Sequence, residues 1–122
     1  MRLRDLMHTD LVSATPDLSV SDAVAVMQTH GFHHFPVVDE VLGFVGVLSD
    51  RDILRHALAR PGAPATVGEI MTLQPLTRPP DATVQQAAAL MVQHRFSCVP
   101  VVEDGGLVGI VTHLDLLRVM AG

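Results

Sequence analysis

Two stretches carry residue types that could do chemistry at a useful spacing, Gly46-Val47-Leu48-Ser49-Asp50-Arg51-Asp52 and Gly109-Ile110-Val111-Thr112-His113-Leu114-Asp115. In each, an apolar run ends at a hydroxyl, and a carboxylate follows three residues later. A Ser or Thr at a helix N-cap accepts from the free N–H of N3, and a carboxylate at N3 reaches back to the cap N–H. Unpaired N–H groups and the positive end of the helix dipole also make such a junction a ready phosphate site. A hydrolytic reading needs a base beside Ser49 or Thr112. His113 adjoins Thr112, but neighbours at a helix start point different ways and no third group orients the pair. The spacing therefore predicts capping or ligand contact, and no catalytic residue.

The elements that must position these junctions occur twice. Laid on itself so that Leu6-Met7 meets Ile70-Met71, the chain matches Pro16-Asp17 with Pro80-Asp81, Met27 with Met91, His30 with His94, Phe32 with Phe96 and Pro36-Val37-Val38 with Pro100-Val101-Val102. One residue is lost between Asp39-Glu40-Val41-Leu42-Gly43 and Glu103-Asp104-Gly105-Gly106, where a hairpin turn tolerates it. The two copies divide near Arg60-Pro61-Gly62-Ala63-Pro64, giving repeats over 1–60 and 61–122.

Each copy has the same local grammar. Ser19 and Thr83 read as N-caps with Asp22 and Gln86 three residues on. Val20, Ala23, Val24 and Met27, then Val84, Ala87, Ala88 and Met91, follow at helical spacing, and Gly31 is a stop for the first helix. Phe35-Pro36-Val37-Val38 and Val99-Pro100-Val101-Val102 read as strands, with Pro near the strand start. Second strands run over Gly43 to Leu48 and Leu107 to Val111. Closing helices carry Ile53, Leu54, Ala57 and Leu58, then Leu116, Leu117 and Met120. Short extended lead-ins, Leu11-Val12-Ser13 and Leu76-Thr77, precede the two copies. About 60 residues are marginal alone, so the two copies are expected to pack sheet against sheet about a pseudo-twofold axis, with a cleft lined by both.

Bulk properties exclude several classes. With 122 residues, 48% of them hydrophobic, the chain can bury a core. Eight Lys plus Arg against thirteen Asp plus Glu give −5, which argues against nucleic acid, whose phosphates need clustered cations. Without Trp or Tyr and with only four Phe, no base-stacking platform is expected. The N-terminus lacks the apolar core of a signal peptide, and no apolar run spans a bilayer. The single cysteine, Cys98, forms no internal disulfide and reads as a buried, inert thiol. The expected setting is soluble, reducing and cytoplasmic. His30, His33 and His34 are close in sequence, but Gly31 ends the helix between them and no acidic or Cys ligand adjoins, so no metal is expected.

Apolar-Pro-Val-Val-Asp, followed by Gly-apolar-apolar-Ser/Thr-x-x-Asp, resembles the cystathionine-β-synthase (CBS) domain, and the resemblance runs from Leu6 to about Met120. It implies a tandem pair in a stand-alone CBS-domain protein: an α+β fold of two β-α-β-β-α repeats, with a homodimer in a flat disc. It also implies a regulatory module that binds an adenosine-containing ligand (AMP, ADP, ATP, S-adenosylmethionine or NAD), with Mg where that ligand is a triphosphate. No cofactor is required, and the signal passes to an effector protein. The resemblance gives ribose contacts to Asp52 and Asp115, and ribose or phosphate contacts to Ser49 and Thr112. It gives a phosphate-facing position to His33 and His34, with Arg51 adding charge; their counterparts Ser97 and Cys98 are not basic. Adenine-pocket candidates are Ser13, Thr15, Phe35, Val47 and Leu48 on one side, and Thr77, Val99, Ile110 and Val111 on the other. Either lead-in could serve either aspartate. Thr77-Arg78-Pro79-Pro80 is stiffer than Ser13-Ala14-Thr15-Pro16, and His113-Leu114 replaces Asp50-Arg51, so unequal clefts are expected. The rival reading is a dimerisation or protein-interaction scaffold that binds no ligand.

Overall fold

Ser19 opens the first long helix as expected: its hydroxyl accepts from the Asp22 N–H at 3.0 Å. The structure is a computed structural model that describes residues 1–73 and 76–122. In order, the elements are a 3-10 turn (Leu3–Asp5), α1 (Val20–His30), β1 (His34–Asp39), β2 (Gly43–Ser49), α2 (Asp50–Ala59), α3 (Val67–Ile70), β3 (Thr72–Leu73), α4 (Val84–His94), β4 (Cys98–Glu103), β5 (Gly106–Thr112) and α5 (His113–Ala121). The chain divides into two compact units, Val12–Gln74 and Met1–Leu11 with Pro75–Gly122, here the first-repeat and second-repeat units.

In the first-repeat unit, α1 buries Ala23 and Met27. It ends at Gly31, whose φ of 70° is the left-handed turn that Gly adopts without a Cβ penalty. β1 and β2 pair antiparallel, with Phe35 opposite Leu48 and Pro36 opposite Val47, and a bulge between Val37 and Val38. β3 adds to the far side of β2, with Thr72 opposite Val47 and Leu73 opposite Gly46. The other edge takes one residue of the lead-in: Ala14 N–H donates to the Pro36 carbonyl, and Val38 N–H donates to Ala14. Extended pairing thus falls on Ala14 rather than Leu11-Val12-Ser13. Ala14 is small enough to be buried there, and Pro16 two residues on has no N–H to continue the ladder. Ala14, Ala23, Met27, Phe35, Val37, Leu48 and Val67 form the core.

The second-repeat unit repeats this plan with chain from two places. Thr83 caps α4 by accepting from Gln86 N–H. α4 ends on Arg95 at φ 59°, a left-handed position that the first copy fills with Gly31. β4 and β5 pair with Val99 opposite Val111, and with the same bulge, between Val101 and Val102. Arg78 takes the lead-in position, donating to Pro100 and accepting from Val102. The opposite edge is held by His8, which exchanges two backbone bonds with Ile110 at 2.9 and 3.0 Å. Leu3 is fully buried with Ala82, Ala87, Leu90, Met91, Val99, Val101 and Val111, and Cys98 is buried.

The closing helices α2 and α5 form where the sequence puts them, and their apolar residues divide between core and solvent. Ile53 and Leu116 pack on the cores, but Leu54 and Leu58 of α2, and Leu117 and Met120 of α5, face solvent. What α2 and α5 bury outright is a carboxylate each, Asp52 and Asp115. Among the described residues no helix is long and apolar enough to cross a membrane.

Candidate functional site

Ser49 and Asp52 sit where β2 runs into α2, and Thr112 and Asp115 where β5 runs into α5. At the first junction Ser49 is extended, with φ −114° and ψ 162°. Asp52 N–H donates to the Ser49 hydroxyl at 3.1 Å, and Ser49 N–H donates to Asp52 Oδ2 at 2.9 Å. At the second, Asp115 N–H donates to the Thr112 hydroxyl at 3.3 Å. Thr112 N–H and its hydroxyl both donate to Asp115 Oδ2, at 2.7 and 3.0 Å. Both capping boxes are therefore closed. Each carboxylate keeps Oδ1 for other work, since a carboxylate offers roughly four acceptor positions.

What approaches Oδ1 differs between the copies. Beside Asp52 stand the Thr72 hydroxyl at 3.3 Å and an Arg55 nitrogen at 3.8 Å. Beside Asp115 stand His8 Nε2 at 2.8 Å and an Arg118 nitrogen at 3.6 Å. His8 and Thr72 are unforeseen neighbours. The only sequence signal for them is that the repeat lays Met7-His8 on Met71-Thr72. The approach is close in both copies. A Cβ on Gly46 would lie 2.5 Å from the Thr72 carbonyl, and one on Gly109 would lie 2.7 Å from Met7 Sδ.

The remaining candidates fall into three groups. Around the helix starts, Asp50 N–H donates to the His33 carbonyl, and His33 Nδ1 lies 3.1 Å from Asp50 Oδ2. His113 makes the matching backbone bond to Ser97 and brings its Nδ1 to 3.2 Å from the same carbonyl. His34 opens β1 opposite Ser49, and Arg51 is exposed in the first turn of α2. Along the strands, Phe35, Leu48, Val99 and Val111 belong to the apolar cores. Val47 and Ile110, one residue out of phase with Leu48 and Val111, are buried but outside those clusters. In the lead-ins, Ser13 and Thr15 are exposed, and Thr15 donates to Asp17 at 2.6 Å. The Thr77 carbonyl accepts from Arg78. Among the described residues no three His, Cys, Asp or Glu side chains gather as a metal set; His30 instead stacks on Phe32 at 5.6 Å.

The family model of the CBS domain matches residues 3–59 and again residues 67–122. The CBS domain-containing protein YhcV of Bacillus subtilis (strain 168) is 31% identical over 93% of this chain and 81% of its own length. The L-aspartate semialdehyde sulfurtransferase of Methanocaldococcus jannaschii is 34% identical over 98% of this chain, which spans only 23% of that enzyme. Among solved structures, the CBS domain pair of protein MJ0100, in complex with 5′-methylthioadenosine and S-adenosyl-L-methionine, superposes with a TM-score of 0.91. It is 33% identical, covering 100% of this chain and 97% of that one. CBSX2 in complex with AMP superposes at 0.82, with 29% identity, covering 98% of this chain and 96% of that one.

Proposed function

The chain belongs to the CBS-domain family, and from that premise we propose that it is a regulatory module that senses an adenosine-containing ligand through its strand–helix junctions. It does no chemistry itself. The observation that carries this reading is the duplicated junction, with a buried carboxylate pinned through Oδ2 by its own cap while Oδ1 keeps acceptor capacity. Two vicinal ribose hydroxyls are donors that such an oxygen accepts. The reading is supported by related CBS pairs of similar sequence and fold that hold AMP, or 5′-methylthioadenosine and S-adenosylmethionine. Enzyme names among the relatives do not count against it, since the sulfurtransferase is matched over only 23% of its length.

Its partners in this reading are the adenosyl compound, a second copy of the chain and an effector protein, with neither nucleic acid nor membrane involved. The mechanism is a population shift: ligand changes the balance of two arrangements only in so far as it binds one more tightly than the other.

The test is a thermal-melt panel with AMP, ADP, ATP with and without magnesium, S-adenosylmethionine and NAD. A ligand specific for the folded state and present at 100 times its Kd adds about 2.7 kcal/mol, a rise of several degrees at this size. The expected result is such a rise with at least one adenosyl compound, lost in Asp52→Ala or Asp115→Ala. A flat panel from nucleotide-free protein overturns the sensor reading and leaves the interaction scaffold.

A further inference from the structure

We infer that His8 is a latch on the second ribose-binding carboxylate, so that the Asp52 junction takes ligand first and the Asp115 junction only when His8 lets go. This rests on the ligand reading above. The two junctions share a closed capping box and an i,i+3 arginine, Arg55 or Arg118, at 3.8 and 3.6 Å. They differ in the residue delivered by the strand segment beside them. The Thr72 hydroxyl lies 3.3 and 3.5 Å from the two oxygens of Asp52, long for a hydroxyl donor, whose usual distance is about 2.7–2.8 Å. His8 Nε2 lies 2.8 Å from Asp115 Oδ1. A carboxylate oxygen accepts, so Nε2–H donates.

Asp115 thus receives three short bonds, from Thr112 N–H, the Thr112 hydroxyl and His8. Among the described residues, Asp52 receives one short bond, from Ser49 N–H, and the long, shared contact with Thr72. The two ribose hydroxyls together call on both acceptor positions of Oδ1, so at Asp115 they must displace His8, whereas at Asp52 they compete only with the long Thr72 contact. His8 is placed to move. Its side chain is 55% exposed while that of Asp115 is 6% exposed, so the imidazole swings into water and uncovers the carboxylate. Its backbone stays paired with Ile110 throughout. His8 is therefore a positioning residue, acting on the ligand through Asp115.

The test exchanges the two residues that the repeat makes equivalent. AMP is titrated by calorimetry into the whole chain as wild type, His8→Thr and Thr72→His. The wild type is expected to show a tight event lost in Asp52→Ala and a weaker one lost in Asp115→Ala. His8→Thr should tighten the weaker event about fivefold, the scale of one hydrogen bond no longer competed for, and leave the tight one alone. Thr72→His should weaken the tight event by a similar factor. Two equal events in the wild type, or a weaker event unchanged or lost in His8→Thr, overturn the latch while the ligand reading stands. No AMP heat in any variant, with S-adenosylmethionine equally silent, overturns both.

Discussion

At Asp52 one side chain serves two ends, and the two can be separated. Its Oδ2 closes the cap of α2 on Ser49 N–H, and in the proposed sensor its Oδ1 is the oxygen offered to ligand. Asn keeps an acceptor for the cap N–H but loses the charge and one acceptor oxygen. Asp52→Asn is therefore expected to melt within about a degree of the wild type while weakening AMP binding. Asp52→Ala should lose both, with about 0.5–2 kcal/mol of stability gone with the cap box. Melting and titration of both variants check this. A variant pair that loses stability without losing affinity would leave Asp52 a cap alone. Ser49-x-x-Asp52 is legible in sequence because a cap lies within one turn of its partner. His8 is not legible as a partner of Asp115, since 107 residues separate them and nothing local in Met7-His8-Thr9 points to a carboxylate.

Among the elements, the strand that bears each junction carries a glycine at the same place, and the two glycines are not equally strict. At Gly46 the obstacle to a Cβ is backbone, the Thr72 carbonyl at 2.5 Å. At Gly109 the nearest atoms are Met7 Sδ and Cγ at 2.7 and 2.9 Å, with the His8 carbonyl farther off at 3.1 Å. A thioether end rotates away more cheaply than a paired strand moves. Gly46→Ala should therefore cost about 2–3 kcal/mol and Gly109→Ala about 1 kcal/mol or less, read as lower urea midpoints at unchanged slope. Equal losses would mean that β3 yields as easily as a side chain. The helices and paired strands were readable because their caps, apolar spacing and β-branched runs are local. The edges were not: Ala14 and Arg78 join the sheets as single residues, too short to leave a pattern. In α2 the sequence marks Ile53, Leu54, Ala57 and Leu58 without saying which face the core, and Ile53 packs inward while Leu54 and Leu58 face out. Composition at helical spacing marks a helix without saying which apolar stripe meets the core.

On the scale of the whole molecule, each unit carries an apolar stripe that its own core leaves uncovered. On α2, Leu54 is 69% exposed and Leu58 85%, one turn apart on one face. On α5, Leu117 is 58% exposed and Met120 84%. Both stripes lie on the helices that carry the aspartates, and Leu54 and Leu117 are equivalent in the repeat. In the dimer proposed for this chain, these are the surfaces a second copy would cover, since full burial of one such side chain is worth about 1.5–3 kcal/mol. In that proposed dimer, ligand at Oδ1 would pull on the first turn of a helix whose later turns a second copy would cover. Leu58→Glu and Leu117→Glu should each weaken self-association at least tenfold without lowering the melting temperature of the isolated chain, because neither residue is in a core cluster. Sedimentation across a concentration series, repeated with saturating AMP, decides it. A wild type that stays monomeric at high concentration removes the dimer, and a dimer indifferent to both substitutions moves the interface elsewhere. A dimer that is broken by them and shifts its midpoint with AMP would tie the ligand oxygen to the interface through a single helix.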